Sequence, residues 1–141
     1  MKIYFACSIT GGRKNEAVYQ AIVDELLAAG HEVPTAHLSR SDVLALEVVV
    51  DPQEVYTRDV GWISSSDAVI AEVSTPSHGV GYEIAFALSK GKPVLCCYRK
   101  GFTVSKMITG NSDPNIDVQA YTSAQDAVQT VRGFLEKLKN R

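Results

Sequence analysis

The chain has 141 residues, of which 45% are hydrophobic and 21% charged, and its formal net charge at pH 7 is −2. This length suits one domain with one filled core, so we expect a single domain over residues 1–141 without separate cofactor and substrate domains. The chain has fourteen lysines and arginines and sixteen aspartates and glutamates. It therefore lacks the excess of basic residues that is typical of proteins that bind nucleic acids or anionic membranes. Neither is therefore an expected partner.

The cysteines and the lengths of the apolar runs indicate the cellular compartment of the protein. Cys7, Cys96 and Cys97 show neither a CxxC pair nor the Cys/His spacing of a zinc site, so we expect free thiols and no bound metal. The apolar run at residues 3–7 is too short for a secretory signal, and no run approaches the roughly 18 apolar residues of a membrane span. These features predict a cytoplasmic protein.

The first third of the chain begins with an apolar run at residues 3–7, which predicts a buried strand that leads into a glycine turn. Apolar residues at helical spacing over residues 18–26 predict a helix that ends near Gly30. A short second strand is predicted at residues 31–35. Residues 43–50 fit either a helical turn or a lid.

Predicted helices and strands alternate in the middle of the chain. The Asp-Pro pair at residues 51–52 predicts a helix start, because aspartate is a good N-cap and proline is favoured at the first helical position. That helix should run to about residue 65 and be followed by a buried strand at residues 68–71. A helix is then predicted over residues 80–88, and a strand over residues 93–98.

The last third has a long connection over residues 99–114 with a helical turn, a weaker strand at residues 116–121, and a closing helix with an apolar stripe over residues 127–138. Alternating strands and helices with continuously apolar strands indicate a parallel sheet covered on both faces. The sequence therefore predicts an α/β, doubly wound, five-stranded parallel sheet of flavodoxin-like or Rossmann-like order 2-1-3-4-5, with helices on both faces.

In that strand order, ligands bind outside the carboxyl ends of strands 1 and 3, where the chain reverses direction. The loop of residues 7–13 follows strand 1, and its glycines allow a ligand to approach the backbone closely. Ser8, Thr10 and Arg13 can add hydroxyl and guanidinium donors. The loop is neither GxGxxG nor a P-loop, so no dinucleotide or triphosphate cofactor is indicated. A glycine turn with a solvated arginine is the structural alternative.

The second loop has the sequence Ser-His-Gly-Val-Gly-Tyr-Glu at residues 77–83. Glu83 precedes Ile84 of the predicted buried helix face, so its side chain projects about 100° from that position, towards the strand ends. A carboxylate in a glycine-lined crevice suits a nucleophile. A favourable partner of the helix dipole is the alternative.

Three further residues are candidates with structural alternatives. Asp59 lies one turn before Trp62 on a predicted helix and could be an ordinary solvated acid. Tyr4 lies within strand 1, where a phenol commonly fills core. His37 follows the second predicted strand and could face the crevice or solvent.

Three segments, at residues 4–13, 59–62 and 71–83, together resemble the nucleoside 2-deoxyribosyltransferase superfamily. Within it, the chain is most similar to the Rcl-type 2′-deoxynucleoside 5′-monophosphate N-glycosidases, and the similarity covers essentially the whole chain. The resemblance implies that Glu83 attacks C1′ of the deoxyribose and expels the base. Tyr4 would orient Glu83, and Asp59 would contact the sugar or handle protons at the leaving base.

The resemblance also implies substrate contacts and a partner. The deoxynucleoside monophosphate would be held by two loops, a helix and a segment from a neighbouring subunit, with these residues: Cys7, Ser8, Ile9, Thr10, Gly11, Gly12, Arg13, Tyr19, His37, Ser77, Gly79, Ser105 and Met107. Ser77 and Gly79 would hold the 5′-phosphate. Ser105 and Met107 would come from the neighbouring subunit, which makes a homodimer the expected unit.

One position separates hydrolysis from base exchange. The transferases usually carry an aspartate six residues before the nucleophile, where this chain has Ser77. A hydroxyl suits a phosphate that a carboxylate would repel, which favours nucleotide hydrolysis. The alternatives are a nucleoside 2-deoxyribosyltransferase, a ribonucleoside monophosphate N-hydrolase and a non-catalytic nucleotide-binding module. Thr10 and Cys7 depart from the Rcl-type pattern, which often has arginine and glycine there.

Overall fold

A parallel sheet forms the centre of the molecule. The computed structural model describes residues 1–9 and 15–141, without the side chain of Leu44. In these residues the sheet has four parallel strands, which run in the spatial order β1-β2-β3-β4. The strands are β1 (Ile3–Ala6), β2 (Ala68–Glu72), β3 (Val94–Arg99) and β4 (Ile116–Tyr121).

Helices connect the strands and cover both faces. A short 3-10 helix (Ala36–Ser39) follows the first long helix, and the α-helices are α1 (Glu16–Ala28), α2 (Val43–Val48), α3 (Pro52–Ser65), α4 (His78–Ser89), α5 (Lys106–Thr109) and α6 (Ala124–Lys139). The predicted α/β class with a parallel sheet is confirmed. The helix predicted from the Asp-Pro pair is α3, and the segment at residues 43–50, for which a helical turn or a lid is predicted, contains α2.

The prediction of a fifth strand at residues 31–35 is wrong. This segment makes only an isolated parallel bridge between Glu32 and Lys2, with Ile3 N donating to Glu32 O at 2.8 Å. Pro34 has no N–H to continue the ladder, and the chain turns there into the 3-10 helix. The order 2-1-3-4-5 therefore reduces to four strands in the described part of the chain, in the relative order predicted for strands 1, 3, 4 and 5.

Alternation along β1 divides the core between the two faces. Ile3 and Phe5 point into the cluster formed with α1 and α6, whereas Tyr4 and Ala6 point into the cluster formed with α3 and α4. All four residues have no exposed surface. A chemical group carried by Tyr4 is therefore presented to the face that α3 and α4 cover.

The start of α4 fixes the loop that follows β2. Ser77 is the N-cap residue, and its Oγ accepts a hydrogen bond from Val80 N at 3.3 Å. Val80, Ile84 and Ala87 pack against the sheet, which holds one side of the helix down. The residue before Ile84 is thereby presented at the carboxyl edge of the strands.

The predicted free thiols agree with the structure. Cys7, Cys96 and Cys97 are free and buried, and burial raises the pKa of the Cys96 thiol to about 12 and that of Cys97 well above its ordinary value. None of the helices described is both long and apolar enough to cross a bilayer.

Candidate active site

A cavity of about 480 Å³ opens at the carboxyl edge of the sheet, between β1, α3 and α4. Three carboxylates line it, from Glu83 on α4, Asp59 on α3 and Glu47 on α2, and apolar side chains such as Val55 form much of the remaining wall. Ser77 and Gly79 line the same cavity. The structure thus brings both predicted catalytic carboxylates and the predicted phosphate-binding pair to one place.

The Glu83 carboxylate lies in a poorly hydrated position. Burial raises its pKa to about 7, and the negative charge of Asp59 acts in the same direction. The Tyr4 phenol and the Arg58 guanidinium lower the pKa but do not offset burial. A Cβ at Gly79 would lie 3.6 Å from Glu83 Oε1 and 3.9 Å from Ser77 Oγ, so these two side chains flank the same glycine.

Tyr4 faces Glu83 from the sheet. Burial raises the pKa of its phenol, and the charges of Glu83 and Asp59 raise it further, so the hydroxyl keeps its proton. The phenol is close enough to act on Glu83 as a donor. However, neither Tyr4 Oη nor Glu83 Oε2 completes a well-formed hydrogen bond with any residue in the described part of the chain.

Asp59 is held by an arginine that the sequence reasoning missed. Arg58 Nε donates to Asp59 Oδ1 at 2.8 Å, and Arg58 Nη2 donates to Glu47 Oε1 and Oε2 at 3.2 and 3.3 Å. Glu47 Oε1 lies 2.9 Å from His37 Nε2. Burial raises the pKa of Asp59, and Arg58 lowers it. No pattern in the sequence marks Glu47, which lies in a segment of mixed character.

The predicted substrate contacts in the first loop and on α1 separate into three groups. Cys7 and Ile9 line the cavity together with Glu83. Ser8 and Tyr19 are buried, and the Tyr19 ring packs edge-on against Phe5 on the opposite face of the sheet. The remaining predicted contacts lie outside the described residues: Thr10, Gly11, Gly12 and Arg13.

Ser105 and Met107 lie beside a second cavity, of about 750 Å³, which also contacts Ser77 and Tyr82. Ser105 caps α5 by accepting a hydrogen bond from Met107 N at 3.2 Å. The Met107 side chain is 83% exposed. Within one chain, Ser105 and Met107 therefore line the second cavity and not the cavity that Glu83 lines.

A comparison with protein families identifies the family of this chain. The model of the nucleoside 2-deoxyribosyltransferase family matches residues 3–127. The chain belongs to the nucleoside 2-deoxyribosyltransferase family. This membership confirms the resemblance that the sequence motifs carry.

Relatives in this family carry hydrolase names. A Methanosarcina barkeri protein provisionally named 2′-deoxynucleoside 5′-phosphate N-hydrolase 1 is 40% identical over 134 residues, which are 95% of this chain and 84% of the relative. A Mus musculus protein named 5-hydroxymethyl-dUMP N-hydrolase is 38% identical over 133 residues, which are 92% of this chain and 76% of the relative.

A solved structure of the Clostridium botulinum CMP N-glycosidase BcmB has the same fold. It superposes with a TM-score of 0.72 at 18% identity, over 94% of this chain and 99% of that one. This likeness supports the α/β architecture described above.

The raised pKa of Glu83 has a consequence for stability. Since the folded-state pKa of about 7 exceeds the ordinary value of 4.5, the folded protein binds more protons between these pH values, and its stability falls as pH rises through them. We expect Glu83→Gln to raise the free energy of unfolding at pH 8 by on the order of 2 kcal/mol, because it removes the buried charge. Urea denaturation at pH 8 and at pH 4 measures this.

The increase in the free energy of unfolding that Glu83→Gln causes should disappear at pH 4, where Glu83 itself is protonated. The exposed Glu54 on α3 offers a matched control, and Glu54→Gln should change stability little at either pH. A Glu83→Gln variant that is less stable than the wild type at pH 8 would contradict a raised pKa of the buried Glu83 carboxylate.

Proposed function

We propose that the protein hydrolyses the N-glycosidic bond of 2′-deoxynucleoside 5′-monophosphates to free base and 2-deoxyribose 5-phosphate. The observation that carries this proposal is the partly dehydrated Glu83 carboxylate, which lines one cavity with Asp59 and flanks the same glycine as Ser77. N-hydrolase names among relatives at 36–41% identity support the same reaction. It is an N-glycosidase that needs no cofactor in this scheme.

The first step is displacement at the anomeric carbon. An oxygen of Glu83 attacks C1′ as the C1′–N bond breaks, which leaves a glycosyl ester on Glu83 and an electron pair on the departing base. A proton from solvent, relayed by the Asp59 carboxylate or delivered directly, neutralises the base. Loss of water from around Glu83 favours attack, because a desolvated carboxylate gives up little hydration on reaching the oxocarbenium-like transition state.

The second step is hydrolysis of the ester. Water attacks C1′ and the C1′–O bond to Glu83 breaks, so that the enzyme recovers its carboxylate after the water loses a proton. Tyr4 suits both steps, since its protonated phenol faces Glu83 and can stabilise the carboxylate whenever it carries the negative charge. Tyr4 is thus an orienting donor in this scheme.

The phosphate end of the site supports a nucleotide as substrate. Ser77 Oγ accepts from Val80 N, which leaves its hydroxyl proton available to a phosphate oxygen. The N–H groups at the start of the 12-residue helix α4 favour an anion at the same place. The predicted loop contacts and His37 would complete the nucleotide site, and Ser105 and Met107 would reach it from a second subunit of a cytoplasmic homodimer.

Replacement of Glu83 tests the proposed nucleophile. We expect Glu83→Ala to lose turnover of deoxynucleoside monophosphates by about three orders of magnitude or more while binding is retained, because the covalent route is removed. Chromatography of released base measures turnover, and mass spectrometry of quenched wild-type enzyme should find the deoxyribosyl phosphate ester on Glu83. Glu54→Ala serves as the surface control.

The same assay separates the alternatives. A correctly folded wild-type protein that releases no base from any of the four deoxynucleotides would overturn the proposal. Formation of a new nucleoside from a deoxynucleoside and a second base would indicate a transferase. Faster release from ribonucleotides would indicate a ribonucleotide hydrolase, and saturable binding without turnover a binding module.

The pH dependence follows from Glu83. Since its pKa of about 7 is the pKa of the group that must be ionised to attack, we expect kcat to fall as pH drops below about 7. The substrate phosphate also ionises in this pH range, but its ionisation changes binding and therefore kcat/KM. The fall in activity that is due to Glu83 is the one that appears in the pH profiles of both kcat and kcat/KM. A kcat that stays constant down to pH 5 would contradict this assignment.

Mixed dimers test the contribution of Ser105 across subunits. Ser105→Asp keeps an N-cap for α5 but places a carboxylate near the phosphate, so we expect it to lose most activity on its own. If Ser105 acts on the neighbouring site, an equal mixture with Glu83→Ala should regain about a quarter of wild-type activity by random assortment. No recovery would place Ser105 in the site of its own chain.

A further inference from the structure

A continuous chain of polar contacts links four side chains beside the cavity. His37 on the 3-10 helix contacts Glu47 on α2, Glu47 pairs with Arg58 on α3, and Arg58 bonds Asp59. The contact distances are 2.9 Å from His37 Nε2 to Glu47 Oε1, 3.2 Å from Glu47 Oε1 to Arg58 Nη2, and 2.8 Å from Arg58 Nε to Asp59 Oδ1. The two ends of this chain are predicted substrate or catalytic residues, and the two middle members are not.

The contact between Arg58 and Asp59 does not follow from helix geometry. Consecutive residues on a helix point in different directions and seldom face each other. Arg58 reaches back because two other groups hold its guanidinium: the Glu47 carboxylate on one side, and the ring of Trp62, whose centroid is 4.9 Å from Cζ. The Asp59 side chain is 16% exposed and that of Glu47 13% exposed, so water screens these contacts less than those of a surface pair.

Arg58 is the main stabiliser of a charged Asp59. Within residues 1–9 and 15–141, the titratable or charged groups that act on Asp59 from the surrounding elements are Arg58, His37, Glu47, Tyr4 and Glu83. Glu47 and Glu83 are carboxylates and disfavour a second negative charge, and Tyr4 is neutral. Arg58 alone both bonds Asp59 and carries a permanent positive charge.

We propose that Arg58 and Glu47 are positioning residues, with Arg58 fixing the orientation and charge of Asp59 and Glu47 locking both Arg58 and His37 in place. This proposal rests on the proposed function, since it assigns Asp59 a part in the reaction. By engaging one oxygen of Asp59, Arg58 restricts rotation of the carboxylate and defines where Oδ2 meets substrate. Because Glu47 lies on α2, the orientation of Arg58 and Asp59 depends on the packing of α2 beside α3.

Substitution of Arg58, with kinetics and carboxyl NMR as readouts, tests the proposal. We expect Arg58→Met to raise the pKa of Asp59, read from its ¹³C carboxyl titration, by about one unit or more, because the opposing charge is lost. It should lower kcat at least tenfold while KM changes less than threefold. Arg58→Lys should restore part of kcat, and Glu47→Gln should cause a smaller loss in the same direction.

The pair formed by Arg132 and Glu25 offers a matched control, because it is an arginine–carboxylate pair, with contacts of 2.7 and 2.8 Å, that joins α6 to α1. Arg132→Met should leave the Asp59 titration and kcat unchanged. Circular dichroism checks that each variant is folded, and Arg58→Lys and Glu47→Gln carry the test if Arg58→Met does not fold. An Asp59 titration that is unchanged in the folded Arg58 variants, or an unchanged kcat, would overturn the positioning role.

The two proposals fail separately. A wild-type protein that releases no base from any nucleotide overturns the proposed function. In that case the Asp59 titration decides the role of Arg58: a raised pKa in the folded Arg58 variant upholds the control of its charge, and an unchanged pKa overturns it.

Discussion

Burial of the Glu83 carboxylate is the constraint around which the other groups of the site are arranged. A carboxylate without water is stable only where donors or positive charges replace the lost hydration. Here Tyr4 and Arg58 do so in part, and Asp59 opposes them, so the pKa stays raised. This incomplete compensation is useful for a nucleophile, since a fully paired carboxylate would have to break strong hydrogen bonds before it could attack.

The sheet supplies the geometry that brings these groups together. Tyr4 is paired with Val69 in the β1–β2 register, and both side chains enter the face covered by α3 and α4. Helix α4 starts at the end of β2 and is pinned by Ile84, so the preceding residue is directed to the edge of that face. A one-residue change in register would turn Tyr4 towards α1 and separate it from Glu83.

Local signals predicted the strands, most helix starts and the Glu83 loop, because each depends on residues that are close in sequence. The Asp-Pro start of α3 is one example, since an N-cap and a proline act within a single turn. The strand predicted at residues 31–35 did not form, because Pro34 has no N–H to continue the ladder and the chain turns there into the 3-10 helix. The pairing of Glu47 with Arg58 joins separate helices, and no sequence spacing encodes it.

The charges of the site also constrain how a nucleotide can lie in it. Within the described residues, no lysine or arginine lines either cavity, and Arg58 is engaged by two carboxylates. A phosphate placed beside Asp59 would meet negative charge that these residues leave uncompensated. At Ser77 it meets a hydroxyl and the N–H groups of α4. For the substrate of the proposed function, the orientation that these charges favour therefore has the phosphate at α4, the anomeric carbon at Glu83, and the base towards Asp59 and the apolar wall of α3.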